Sequence, residues 1–172
     1  MSIYEKIMSR RSVKCYKADM PPMEVIDRII EAGLYAANGR NWQSPIVIAV
    51  TDKAMRDRIA ALNAKVMDAE GTDPFYGAPA ILIVLADKTK MTYIYDGSLM
   101  MGNMMLAAHD AGLGACWVHR AKQVFESDEG KEILASLGIE GDYEGIGNLI
   151  IGYADGEPRV AAERREGRVY KI

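Results

Sequence analysis

Four short, unbroken apolar runs constrain this chain more than anything else in it: residues 46–50 (Ile-Val-Ile-Ala-Val), 80–85 (Ala-Ile-Leu-Ile-Val-Leu), 115–118 (Ala-Cys-Trp-Val) and 149–153 (Leu-Ile-Ile-Gly-Tyr). Each is too short for a buried helix and rich in β-branched or bulky residues, so each reads as a strand. A strand with one wet face alternates polar and apolar residues, whereas these are apolar throughout and must be covered on both faces. The segments between them carry helical periodicity, so the expected architecture is a sheet with helices packed on both sides.

The helical segments can be placed from their stripes and caps. Ile3, Ile7 and Met8 share one face of a short first helix. Pro21-Pro22 opens a second, whose stripe Val25, Ile26, Ile29, Ile30 and Leu34 runs to Ala37. Asp52 suits the N-cap of a third helix with Met55, Ile59 and Leu62 facing inward. Residues 96–111 form the most apolar helix, in which Gly97, Gly102, Ala107, Ala108 and Ala111 permit close backbone approach. Ser127 opens a further helix through Leu137, closed by Gly138. The tail, 154–172, is charged and has little apolar face, so it is expected to embrace a second subunit. At 172 residues the chain suits one domain, 1–172.

A net charge of −3 argues against nucleic acid or an anionic membrane as the main partner. No apolar run approaches the roughly 20 residues of a membrane span. The amphipathic start is not a signal peptide, so a cytoplasmic location is expected, and the two cysteines, Cys15 and Cys116, are expected to be reduced. Eleven methionines against two phenylalanines supply flexible filler that tolerates irregular neighbours such as a flat heterocycle.

Against this background the segment Arg10-Arg11-Ser12-Val13-Lys14 stands out as three cations and a hydroxyl within five positions. Arginine offers a planar fork of donors matched to phosphate and lysine a compact, movable charge, so the segment suits an anion. Taken alone it reads better as a solvated turn. Other chemistry is sparse. His109 lies in the apolar helix as a core or interface residue. Cys116 and His119 have a C-x-x-H spacing that would make half a zinc site, but only Cys15 and His109 could complete it, so no metal is expected, and Cys116 sits in an apolar strand that suits an inert thiol. Neither G-x-G-x-x-G after a strand nor G-x-x-x-x-G-K-[ST] occurs, which disfavours the dinucleotide and P-loop folds. What accumulates is a donor set with no acid–base pair: Arg10, Arg11, Ser12 and Lys14, the amides of Asn38, Asn41 and Gln43, and the late arginines Arg164 and Arg165. A molecule with a phosphate, a polyol and a polar heterocycle, such as flavin mononucleotide (FMN), would use all of them.

The order of these pieces resembles the FMN-dependent nitroreductase family in its short form. Arg10-Arg11-Ser12-Val13-Lys14-Cys15-Tyr16 is similar to the family's N-terminal R-R-S-[IV]-[RK]-x-[FY], and Asn38-Gly39-Arg40-Asn41-Trp42-Gln43 to its S-G-x-N-x-Q loop. Phe75-Tyr76-Gly77-Ala78-Pro79 resembles its F-Y-G-A-P segment. Asp96 with the 103–108 stretch, and Gly112-Leu113-Gly114-Ala115-Cys116-Trp117-Val118, resemble its central helix and G-L-G-[ST]-C-W-[IV] strand. Gly152-Tyr153 followed by Glu157-Pro158-Arg159 is similar to its closing G-Y-x-x-x-x-P-[KR]. Asn38 stands where Ser is usual, Ser44-Pro45 where Pro-Trp is usual, and the tail lacks the proline-rich stretch common there.

The resemblance implies an α+β, three-layer α/β/α fold with a mainly antiparallel central sheet and a C-terminal extension reaching the partner of a homodimer. It implies two FMN sites at the subunit interface, with Arg10, Arg11 and Ser12 on the phosphate and ribityl groups and Lys14 at N1 and O2 of the isoalloxazine. Asn38, Asn41 and Gln43 would come from the other subunit, the Trp117-Val118-His119 backbone would line the ring near N5, and Arg164 or Arg165 would close on the phosphate. The implied activity is an NAD(P)H oxidoreductase reducing nitroaromatics, quinones or similar acceptors in two half-reactions. The alternatives are a dehalogenase or flavin-destroying enzyme of the same fold, for which the 70–77 loop is short as a lid, or a non-catalytic flavin-binding protein.

Overall fold

The structure is a computed structural model and describes residues 1–157 and 159–172. The elements run α1 (Ile3–Ser9), α2 (Met23–Leu34), β1 (Pro45–Val50), α3 (Lys53–Val66), β2 (Ala80–Asp87), α4 (Tyr93–Asp110), β3 (Gly114–Val118), α5 (Ala121–Glu126), α6 (Asp128–Ser136) and β4 (Tyr143–Gly152). Among the described residues the strands form one sheet in the order β1-β2-β4-β3, every neighbouring pair antiparallel. The expected α+β class, with helices on both faces of an antiparallel sheet, is what is observed.

The centre of the sheet explains the unbroken apolar runs. From Ala80 to Ala86 strand β2 has no exposed surface at all. One face carries Ile81, Ile83, Leu85 and Ile150 into a core with Ile59 of α3, Val124 and Phe125 of α5 and Ile133 of α6. The other carries Leu82, Val84, Leu149 and Ile151 against Ile26 and Ile29 of α2 and Met100, Met101 and Met104 of α4. Helices α2 and α4 pack closely at Gly33, where a Cβ would lie 2.6 Å from Cγ of Met104.

Several sequence readings shift at their edges. Asp52 and Ser127 cap α3 and α6 as expected, through Met55 N–H and Gly130 N–H. Helix α2 stops at Leu34, short of Ala37. Strand β4 begins at Tyr143, well before residue 149, and its first half (Tyr-Glu-Gly-Ile-Gly-Asn) carries no apolar run that would mark it as strand. There the register slips: Val84 faces Gly147 and Leu85 faces Gly145, so Ile146 is the extra residue of a bulge. Helix α5, which sequence periodicity missed, packs on this bulged half.

The close approach of α5 needs a glycine. A Cβ at Gly145 would fall 2.3 Å from the carbonyl carbon of Ala121 and 2.6 Å from the amide nitrogen of Lys122, both backbone atoms that have nowhere to go. Gly145→Ala is therefore expected to cost about 3 kcal/mol and to lower the thermal unfolding midpoint by roughly 5–10 °C, read by circular dichroism.

Candidate functional site

Beyond α1 the chain runs along the edge of the sheet. Val13 N–H donates to the Ala115 carbonyl of β3 (3.1 Å), Lys17 N–H to Tyr153 (2.9 Å), and Asp155 N–H to Cys15 (2.9 Å). Ser12 pairs with Ala115 and Tyr16 with Ala154 as isolated bridges. Two side chains pin the segment. Val13 packs on Gly114, whose absent Cβ would lie 2.9 Å from it. Tyr16 is buried, and its hydroxyl donates to the Val13 carbonyl (2.9 Å). Burial, followed by the neighbouring Cys116, pushes the Tyr16 phenol far up, so it stays neutral.

The pinned segment borders a cleft of about 350 Å³ lined by Arg10, Arg11, Ser12 and Lys14, with Met105 and His109 of α4 opposite. Arg11 Nη1 donates to the carbonyls of Met8 (2.8 Å) and Arg10 (2.6 Å), which fixes the guanidinium without neutralising it. Nη1 of Arg10 and Nε of Arg11 are buried with no hydrogen-bond partner. Among the described residues, none of Arg10, Arg11 and Lys14 forms an ion pair. Buried donors without partners are rare because each costs about 1–3 kcal/mol, so this cleft is poised for an anion. His109 is neither core nor free: Ser9 Oγ lies 2.8 Å from its Nε2 at the cleft wall.

The amide loop lies elsewhere on the chain. Residues Gly39–Asn41 make one 3-10 turn, and Arg40, Asn41 and Gln43 all take positive φ (50°, 55° and 50°), unusual for residues with a Cβ. The loop is held by Asp96, a buried residue of α4 whose carboxylate accepts from Gly39 N–H (3.0 Å), Ser44 Oγ (3.2 Å) and Thr92 Oγ1 (2.9 Å). Part of the amide set serves the loop itself, since Asn38 Oδ1 accepts from Gln43 N–H (3.0 Å) and Asn41 Oδ1 from Gln43 Nε2 (3.2 Å). Asn38 and Gln43 line a separate cleft of about 150 Å³ beside Asp96.

At the far end of β3, Trp117 and the exposed His119 line a third cleft, of about 390 Å³, with Ser98, Gln123 and Glu144, while Val118 is buried in the core. Its backbone is clamped by two buried amides. Asn63 donates to the His119 carbonyl (3.0 Å), and Asn148 to the carbonyls of Val118 (3.3 Å) and His119 (3.1 Å). Arg120, at φ 77°, closes the turn by donating to Asn63 (2.8 Å). Neither Asn63 nor Asn148 is apparent from sequence, because a buried amide has no periodic signature.

Arg164 and Arg165 lie in the exposed tail, where Arg164 donates to the Ala162 carbonyl. Of the closing motif, Pro158 lies outside the described residues; Glu157 and Arg159 reach the first cleft. Within one chain, then, Arg10, Arg11, Ser12 and Lys14 converge on one cleft. The structure does not bring Asn38, Asn41, Gln43, Trp117, Val118, His119, Arg164 or Arg165 to it.

An antiparallel sheet between helical layers, with a cleft lined by Arg10, Arg11 and Lys14 where the N-terminal segment borders its edge strand, defines an α+β protein with a candidate anion site. Residues 7–153 match the model of the nitroreductase family, and the chain belongs to that family. It is 33% identical over 127 residues to a Methanothermobacter thermautotrophicus protein named as an NADH dehydrogenase/NAD(P)H nitroreductase, a match covering 68% of this chain and 60% of that one. The chain thus spans less than two thirds of that relative's length. A Vibrio harveyi NADPH-flavin oxidoreductase is 26% identical over 166 residues, 91% of this chain and 67% of that one. A Bacteroides fragilis nitroreductase solved with bound FMN superposes with a TM-score of 0.88 at 25% identity, over 100% of this chain and 99% of that one.

The Asp96 brace gives a direct test of the loop. Asp96→Ala strands three donors and is expected to speed tryptic cleavage after Arg40 by roughly tenfold or more, with Asp96→Asn in between, as read by mass spectrometry.

Proposed function

We propose that the protein is an FMN-dependent NAD(P)H oxidoreductase that passes hydride equivalents to nitroaromatics, quinones or related acceptors. The observation that carries the reading is that Arg10 and Arg11, each with a buried, unpartnered donor nitrogen, line one cleft with Lys14, none of the three in an ion pair among the described residues, in a chain of this family. Those donors fit a flavin phosphate, as does the hydroxyl of Ser12 beside them. The relatives' names, NAD(P)H nitroreductase and NADPH-flavin oxidoreductase, support the class of activity.

Bound FMN would supply the hydride chemistry, taking two electrons from the nicotinamide and passing them to the acceptor. The chain's own residues would bind and tune. Arg10, Arg11 and Ser12 hold the phosphate end; Lys14 places an unneutralised cation where negative charge develops on reduction, favouring the reduced form. Among the described residues no helix is long and apolar enough to cross a membrane. Exposed apolar side chains on α1 (Ile3, Ile7), on α4 (Ile94, Leu99) and in the tail (Val160, Val169, Tyr170) support a homodimer. In such a dimer Asn38, Asn41, Gln43, the Trp117–His119 backbone and a tail arginine would complete the site across the interface.

The test begins with purified protein, which is expected to be yellow and to be bleached anaerobically by NADH or NADPH; colourless protein that refuses added FMN would refute the reading. Arg10→Ala is expected to weaken FMN retention by roughly 10- to 100-fold, the scale of a lost charge-assisted hydrogen bond. Lys14→Met should leave much of the binding intact and lower the flavin potential by roughly 30–60 mV. Fluorescence titration and dye-linked potentiometry separate the two roles, with menadione or nitrofurazone as acceptor in the steady state.

A further inference from the structure

The loop from Glu70 to Ala78 ends in a strained residue with a partner across the chain. Tyr76 takes φ 54° and is followed by Gly77 at φ 76°, so its ring is turned out of the loop and remains 40% exposed. The Nζ of Lys14 lies 5.4 Å from the centre of that ring. This is cation–π distance.

The strain is held in place by a brace in which the buried Arg56 meets the exposed Asp73. Asp73 Oδ1 accepts from Phe75 N–H (2.9 Å), and Oδ2 accepts from Gly77 N–H (2.8 Å) and from Arg56 Nη2 (2.5 Å). Burial alone would push the Asp73 carboxyl up, but the Arg56 guanidinium and the two backbone donors outweigh it and hold it below the usual carboxylate range. Arg56 in turn donates from Nε to the Ala78 carbonyl (3.0 Å) and lies over the ring of Phe75, which has no exposed surface. Asp73, Arg56 and Phe75 thus fix the backbone on both sides of Tyr76. The Tyr76 ring faces Lys14.

We propose that Tyr76 is a positioning residue for Lys14: its ring face holds the ammonium in place without cancelling its charge. A carboxylate would hold the lysine more tightly, but the resulting pair would present little net field to a bound group. A quadrupole attracts the cation and leaves the full positive charge available. Arg11 follows the same rule, being held by two carbonyls. The inference rests on the flavin reading of the cleft and adds to it what keeps Lys14 where it acts.

The test uses the full chain with FMN and two variants. Tyr76→Phe keeps the ring face and should leave the flavin potential as in wild type. Tyr76→Leu keeps bulk and removes the quadrupole; it should shift the reduction equilibrium two- to fivefold against reduced flavin, about 10–20 mV for a two-electron couple, with FMN affinity and unfolding midpoint unchanged. A readout independent of flavin is the ¹³C signal of reductively dimethylated Lys14, assigned by its loss in Lys14→Met. Ring-current shielding should be present in wild type and Tyr76→Phe and absent in Tyr76→Leu. A Tyr76→Leu protein that retains FMN at the wild-type potential, or a Tyr76→Phe protein that shifts as far as Tyr76→Leu, overturns the proposal alone. Wild-type protein that never retains FMN removes the flavin reading and this proposal with it.

Discussion

Strand β2 must be dry on both faces, and most of the remaining structure follows from that requirement. Seven consecutive residues, Ala80 to Ala86, have no contact with solvent, and burying such side chains contributes on the order of 1.5–3 kcal/mol each for the larger ones. Neither face can be left open, so α3, α5 and α6 cover one and α2 and α4 the other. Its backbone donors and acceptors must be paired in the sheet as well, which β1 and β4 accomplish from either side. With β2 and β4 enclosed, β3 is left with a free edge, and there the N-terminal segment is pinned by Val13 and Tyr16. The cationic cleft is thus a product of where the sheet ends.

The apolar logic was legible in the sequence, and the polar logic only in part. The runs at 46–50, 80–85 and 115–118 became strands almost residue for residue, because continuous burial leaves a continuous apolar signature. The first half of β4 left none. Glu144, Gly145, Gly147 and Asn148 are there for tertiary reasons: Gly145 admits α5, a Cβ at Gly147 would lie 2.4 Å from Trp117 Nε1, and Asn148 holds the end of β3. Each requirement involves a partner distant in sequence, which local pattern cannot report. The basic segment was legible as charge density alone. That its guanidiniums have buried, unpartnered nitrogens is a statement about packing, and the role of Asp96 as the brace of the amide loop emerges only when Gly39, Ser44 and Thr92 converge on it.

Of the six described non-glycine residues at positive φ, all but Asp68 lie in segments beside the clefts. Arg40, Asn41 and Gln43 sit beside the second cleft, Arg120 closes the third, and Tyr76 faces the lysine of the first. A side-chain-bearing residue in the left-handed region costs about 1 kcal/mol and persists only where its surroundings hold it. In each segment a polar side chain does so: the buried Asp96 for the amide loop, the buried Asn63 for the turn after β3, and the exposed Asp73 with the buried Arg56 for Tyr76. The rigid apolar sheet sets the scaffold, and these polar residues set the direction of what projects from it.

The cations then divide by the company they keep. Arg56, Lys6, Lys88 and Lys122 are paired with Asp73, Asp110, Asp142 and Glu144 respectively, and their charge is spent inside the molecule. Arg11 and Lys14 are held by partners that carry no charge, carbonyl oxygens in one case and an aromatic face in the other. In a chain with net charge −3, and with Asp155 and Glu157 lining the same cleft, three cations outside every ion pair among the described residues must be fixed without being set against a carboxylate. Neutral partners satisfy both demands at once. The fold therefore generates a local positive field against the sign of the whole protein, and it does so at the edge of the sheet, where a ligand can reach it.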